Sequence, residues 1–208
     1  MRRRTVIGIA AGLAAPVAAP VTFIIETEKF QRRRNRRLVQ EADPAAGESR
    51  TLVVYFSRSG NTELMALEIA KAHRAQVVEL LADDYRIGFF GWLAALRDSQ
   101  NQQAVIHPET IDLTSFDTVF LGSPVWWYSP APPLWQFVSA NDFSGKTVVL
   151  FNTFNSRFKP AYIDAFKSRI EARGGRFGKH LFVRRGRMPS QLNPEEMLEG
   201  VRRQLALL

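Results

Sequence analysis

The chain has no cysteine among its 208 residues. That absence excludes disulfides, thiolate catalysis and cysteine-ligated iron–sulfur or zinc centres. It does not indicate a compartment. Histidine is nearly as scarce: His73, His107 and His180 are too scattered to suggest a metal site, and each reads as structural or solvent-exposed. No metal is expected. The Asp83-Asp84 pair follows a strand and reads as a cap for the next helix rather than an acidic ligand pair. Ser59 has no glycine two residues before it, so the nucleophile-elbow pattern is missing. No side chain is expected to act as a catalytic acid, base or nucleophile. Internal repeats are lacking too.

Apolar residues, by contrast, are ample for a core, at 46% of the chain. The apolar run Thr51-Leu52-Val53-Val54-Tyr55-Phe56 is short and β-branched, as a buried strand should be. After it come Ser57-Arg58-Ser59-Gly60-Asn61-Thr62, and then Leu64, Ala66, Leu67, Ile69 and Ala70 at helical intervals. A strand, a hydroxyl-rich turn and a helix start make a phosphate site, because turn N–H groups and the helix dipole favour an anion and Gly60 allows close backbone approach. No Lys follows the glycine, and no second glycine stands at Walker spacing, so a nucleoside triphosphate is a poor candidate. A monophosphate fits better.

A second strand candidate, Phe116 to Ser123, runs into Pro124-Val125-Trp126-Trp127-Tyr128-Ser129-Pro130-Ala131-Pro132-Pro133. The prolines stiffen this loop, and its adjacent aromatics offer flat faces or apolar walls to a planar ligand. Trp126 and Trp127 are neighbours on extended chain and point to opposite sides, so one of them reads as a core residue. A third strand, Thr147 to Phe151, ends in Asn152-Thr153-Phe154-Asn155-Ser156.

The string Tyr55-Phe56-Ser57-Arg58-Ser59-Gly60-Asn61-Thr62 resembles the phosphate-binding loop of flavodoxins. The segment Gly122-Ser123-Pro124 with its aromatics is similar to the second FMN loop of flavodoxin-like quinone reductases. The resemblance runs from about Thr51 to the C-terminus. It implies FMN as cofactor, with Ser57, Arg58, Ser59, Gly60, Asn61 and Thr62 around the phosphate. It also implies that Ser123, Pro124 and Val125, with an aromatic among Trp126, Trp127 and Tyr128, lie beside the isoalloxazine. Thr153 and Asn155 fall where the third flavin loop would be. Relatives commonly carry small residues and glycines there, so Phe154 is a departure that would narrow the site or cover the flavin. NAD(P)H is a possible electron donor.

The remaining order agrees with an α/β fold. Gln76 to Leu80 is a strand, Tyr85 to Leu96 an amphipathic helix, and a further helix starts at Leu134 after the prolines. Ala161 to Ala172 is helical and stops at Gly174-Gly175, His180 to Val183 is the last strand, and Pro194 opens the last helix. Strands alternating with helices imply a parallel sheet covered on both faces. The flavodoxin-like expectation is a doubly wound, five-stranded parallel sheet of order 2-1-3-4-5, with both motifs at its switch point.

Thr5 to Ile25 is free of charge and, if helical, long enough to span a bilayer. Arg2-Arg3-Arg4 precede it, and Lys29, Arg32, Arg33, Arg34, Arg36 and Arg37 follow. An uncleaved anchor, a cleaved signal peptide and a twin-arginine signal built on Arg3-Arg4 all fit, and the awkward processing site before Pro20 favours the anchor. The division is then 1–25 anchor or signal, 26–50 basic juxtamembrane segment and polar linker, and 51–208 the FMN-binding domain. The heavier basic flank lies downstream, which favours a cytoplasmic domain. The twin-arginine route would export it.

Net charge is +8, and the first 50 residues carry ten basic against five acidic side chains. Directly after a membrane segment, anionic headgroups are the expected partner of this tail rather than nucleic acid. Arg184, Arg185 and Arg187 form a second cluster that either binds an anion or is simply solvated. The function expected is an FMN-dependent, NAD(P)H-driven reductase of a quinone or similar acceptor at a membrane. A one-electron carrier for a partner protein and an FMN-free interaction module are the alternatives.

Overall fold

A computed structural model describes residues 11–41, 49–186 and 190–207, with side chains from Pro20 onward. Five strands run parallel: β1 (Thr51–Tyr55), β2 (Gln76–Glu79), β3 (Thr118–Trp126), β5 (Thr147–Phe154) and β6 (Arg176–Arg184). A two-residue strand, β4 (Ser129–Pro130), folds back antiparallel on the end of β3. The sheet order is β2-β1-β3-β5-β6. With β4 set aside, this is the expected five-stranded order.

Alternation along the strands builds two cores. Leu52, Val54 and Phe56 face one side, where α3 (Phe89–Asp98), α4 (Pro132–Ala140) and α5 (Pro160–Ala172) are found. Val53 and Tyr55 face the other, against α2 (Asn61–His73) and α6 (Pro194–Leu205). That is the period-two geometry of a strand covered on both faces. Gly122, paired with Tyr55 across the β1–β3 ladder, admits no side chain: a Cβ there would lie 2.0 Å from the Phe151 ring.

Several boundaries differ from expectation. The segment from Tyr85 to Leu96 is not one helix. Asp83–Tyr85 forms a 3-10 turn, and α3 begins only after Gly88, whose φ of 144° breaks the path. Asp83 pairs with Arg86 and caps nothing on α3. Helix α4 takes in Pro132 and Pro133 rather than starting after them, since first-turn N–H groups need no intrahelical partner. Strand β3 continues through Pro124 to Trp126, and β6 spans nine residues rather than four. The last helix starts as expected, with a capping box between Asn193 and Glu196.

The largest difference lies before β1. Helix α1 (Ala11–Glu41) runs unbroken through the segment expected to be a juxtamembrane linker. Its Val21, Ile25, Gln31 and Asn35 are buried, and Leu38 and Val39 pack against the core on the α2 side. Residues 26–41 are therefore a docked element of the fold. Residues 42–48 of the expected linker lie outside the described residues. So do residues 5–10 of the apolar run, and among the described residues no helix is long and apolar enough to cross a membrane.

Candidate functional site

A crevice of about 710 Å³ opens at the carboxyl ends of β1, β3 and β5. That is the switch-point position where open α/β sheets bind ligands, and the volume falls in the usual range for small-molecule sites.

The turn after β1 forms its polar end. Gly60 sits at φ +84° as the N-cap of α2, and no side chain caps the helix. The Ser57 hydroxyl accepts from the Gly60 N–H at 3.1 Å, which holds the turn closed. A Cβ on Gly60 would approach Asn35 Cβ to 3.0 Å, so α1 lies directly on the turn. Thr62 is buried and shares a 2.8 Å hydroxyl–hydroxyl bond with Thr153, tying the start of α2 to the end of β5.

The hairpin between β3 and β4 forms the apolar wall. Trp127 and Tyr128 occupy its two central positions at φ 45° and 75°. Tight hairpins need positive φ there and normally use Asn or Gly; two aromatics in those wells are strained. Trp126 turns inward, edge-on to Phe56 and Tyr85 at 5.6 and 5.2 Å, while Trp127 is 56% exposed at the crevice mouth. The two tryptophans thus divide into a core residue and an open one. Arg157 and Lys159 stand over the Tyr128 ring.

Of the expected site residues, Ser57, Arg58, Ser59, Asn61, Thr62, Pro124, Val125, Trp126, Trp127, Tyr128, Thr153 and Asn155 all line this crevice. Gly60 and Ser123 do not. Gly60 shapes the turn through its backbone. Ser123 is fully buried beneath the loop, where its hydroxyl accepts from the Ala131 N–H and its carbonyl accepts from Asn152. Phe154 does line the crevice, but its ring is largely buried against Phe158 and Phe182, so it forms a wall rather than a cover.

Sequence reasoning placed none of α1 at the site. Phe23, Ile24, Thr27, Glu28 and Gln31 contribute to the lining. Arg58 points towards the helix: it pairs with Glu28 at 2.9 Å, and its guanidinium stands over Trp126. Burial pushes the Glu28 carboxyl up and the Arg58 guanidinium down, each opposed by the partner's charge. Arg32 donates to the Arg58 carbonyl at 2.7 Å. It also faces Glu63 and Glu79, whose carboxyls burial raises and Arg32 draws back down. Burial raises the Tyr55 phenol, as do the charges on Glu63 and Glu79. Some of the basic residues assigned to lipid thus meet the domain's own carboxylates.

Asn61 is the hub of the polar end. Its side-chain oxygen accepts from Asn35 at 2.8 Å and from Arg185. Its amide donates to the Ser59 hydroxyl at 3.0 Å and to Gln31 at 3.2 Å. Gln31 in turn donates to Gln191, which reaches Asn155. Arg185, from the cluster after β6, is 1% exposed and lines the crevice.

Comparison with known proteins accords with this geometry. A family model described as flavodoxin matches residues 50–168. The chain belongs to the flavodoxin family. Among solved structures it is similar to a flavoprotein of Bacteroides uniformis, 23% identical, covering 73% of this chain and 97% of that one at a TM-score of 0.57. A flavoprotein of Bacteroides eggerthii is 18% identical over 76% of this chain and 97% of its own, also at 0.57. A Lactobacillus acidophilus flavoprotein in complex with FMN is 24% identical over 64% and 93%, at 0.52. At these identities the likeness is one of fold. No curated protein matches the chain.

Proposed function

We propose that this flavodoxin-family chain is an FMN-binding redox protein that works at a membrane surface as an NAD(P)H-dependent reductase of a quinone-like acceptor. One observation carries the flavin reading: an uncapped, glycine-tight turn and a strained aromatic hairpin converge on a single crevice. The residues fit FMN. The polar end offers backbone N–H groups, the Ser59 hydroxyl and a buried cation, and the other end offers aromatic and apolar walls. FMN, when bound, supplies one- and two-electron redox chemistry. The chain's own task is to bind and orient. The turn and α2 hold the phosphate, Pro124 to Tyr128 hold the ring, and Phe154 shields one side from water.

The reductase reading is favoured over a one-electron carrier by the charge of the domain. From residue 51 onward it carries 18 basic and 15 acidic side chains, without the strong acidity with which many soluble flavodoxins dock basic partners. A membrane surface is supported by exposed apolar side chains on neighbouring elements. Phe89, Phe90, Leu93 and Leu96 of α3 are open to solvent, as are Phe23, Ile24 and Phe30 of α1, which contacts α3. The uncharged run continues from α1 towards the N-terminus, and the exposed Arg33, Arg36 and Arg37 suit anionic headgroups on the cytoplasmic side.

The visible spectrum of purified protein, before and after NADPH, tests the activity. A flavin spectrum that bleaches is the expected result. A flavin spectrum that NADPH leaves unchanged favours the carrier. Protein that stays colourless after FMN addition favours the interaction module and defeats the flavin reading.

A further inference from the structure

We propose that Arg185 is a built-in counter-charge for a phosphate monoester, so that this site selects phosphorylated flavin by an ion pair. The proposal rests on the flavin reading and deepens it. The side chain is 1% exposed. One terminal nitrogen donates to the Asn61 side chain, the other to the Leu192 carbonyl at 2.8 Å, and the buried Nε has no partner. Among the described residues no carboxylate pairs with it. A desolvated cation without a counter-charge is costly, and buried charges are normally paired.

Its surroundings make the imbalance worse. Arg34 of α1 faces it, and the Arg34 Nε is likewise buried without a partner. Burial first, and then Arg34, push the Arg185 guanidinium down to about 10, which leaves it charged at neutral pH. Arg58, the other buried arginine of the crevice, is already matched by Glu28 at 2.9 Å. The polar end of the crevice therefore holds an excess of positive charge that an anion would balance.

Asn61 shows how the cation is aimed. Both its carbonyl positions and both its amide hydrogens are committed to Arg185, Asn35, Ser59 and Gln31. Its side chain has no bond left for a ligand and acts to position, linking α1, the turn and Arg185. The resemblance would place Asn61 on the phosphate; the geometry gives the charged contact to Arg185 instead.

The experiment compares FMN with riboflavin, which lacks only the phosphate, by fluorescence titration of the full-chain apoprotein and its variants. For R185Q, FMN affinity is expected to fall by about tenfold to a hundredfold, the scale of a hydrogen bond to a charged group, while riboflavin affinity stays the same. Unchanged riboflavin binding also reports an intact fold. R185K keeps the charge but loses the planar fork, and is expected to show a smaller, FMN-specific loss. FMN affinity unchanged in R185Q overturns the proposal, as do equal losses for both flavins in both variants. If the wild-type protein binds neither flavin, the flavin reading fails, and thermal stabilisation by inorganic phosphate decides the anion site. Phosphate protecting the wild type most, R185K less and R185Q not at all supports Arg185; no protection of the wild type, or equal protection of R185Q, overturns it.

Discussion

His180 of β6 bonds across the sheet to Asn152 of the neighbouring strand β5. Its Nε2 lies 2.9 Å from the Asn152 side-chain oxygen, which only accepts, so Nε2 carries the hydrogen. The ring packs on Phe158 and Phe182 at 5.0 and 5.3 Å, and burial pushes its pKa down from 6.5 to about 4. Between those values the unfolded chain binds a proton that the folded one refuses. The stabilisation is complete above about pH 6.5 and is lost as pH falls towards 4, by up to about 3 kcal/mol. Denaturation of wild type and H180Q across this window should show a steeper acid loss in the wild type; parallel curves would rule the histidine out. Arg185 was also within reach of the sequence. Leu181, Val183 and Arg185 alternate as buried positions with exposed Phe182 and Arg184 between them, so strand period carries the arginine inward. A charged residue at that step reads as the end of the strand, which hides the continuation.

At the scale of elements, the strands were legible because their apolar runs are continuous and their turns carry Gly, Ser or Pro. Helix α1 was not. Its inward stripe is Val21, Ile25, Glu28, Gln31, Asn35 and Leu38, polar in the middle, so hydrophobic periodicity fades where the helix meets the site. Those polar residues match the polar turn beneath them. Asn35 donates both to the Ser59 carbonyl at 2.9 Å and to Asn61. Loss of a buried bond of this kind costs on the order of 1 kcal/mol, and more where a partner is left unsatisfied. A chain beginning at Ser49 should therefore remain folded around its two cores but melt at a lower temperature and bind FMN at least about tenfold more weakly. N35A should reproduce part of that loss. Undiminished FMN affinity in the shortened chain would show α1 to be dispensable to the site. The aromatic hairpin was half legible: one inward and one outward tryptophan was expected, but Trp127 turns outward because it sits in the turn at φ 45°, not because extended chain alternates there. The two-residue turn at Trp127-Tyr128 was not legible, because aromatics are poor residues for positive φ.

For the whole molecule, exposed apolar surface and positive charge lie on adjoining elements, α1 and α3. Phe90 is 82% exposed and Leu93 47%, an arrangement that water does not favour but a bilayer interface does. Burial of one such side chain contributes about 1.5–3 kcal/mol, so a few of them hold a domain at a surface even where salt screens the arginines. Full-length protein mixed with vesicles containing anionic lipid should therefore cosediment with them, and high salt should weaken the association without abolishing it. F90D combined with L93D removes apolar contact and adds negative charge at one place, and should lower the bound fraction further at high salt. The same pair should leave FMN affinity unchanged, since neither residue lines the crevice. Complete release of the wild type by salt would reduce the contact to surface charge alone. Equal partitioning of the variant would exclude α3 from the proposed membrane contact.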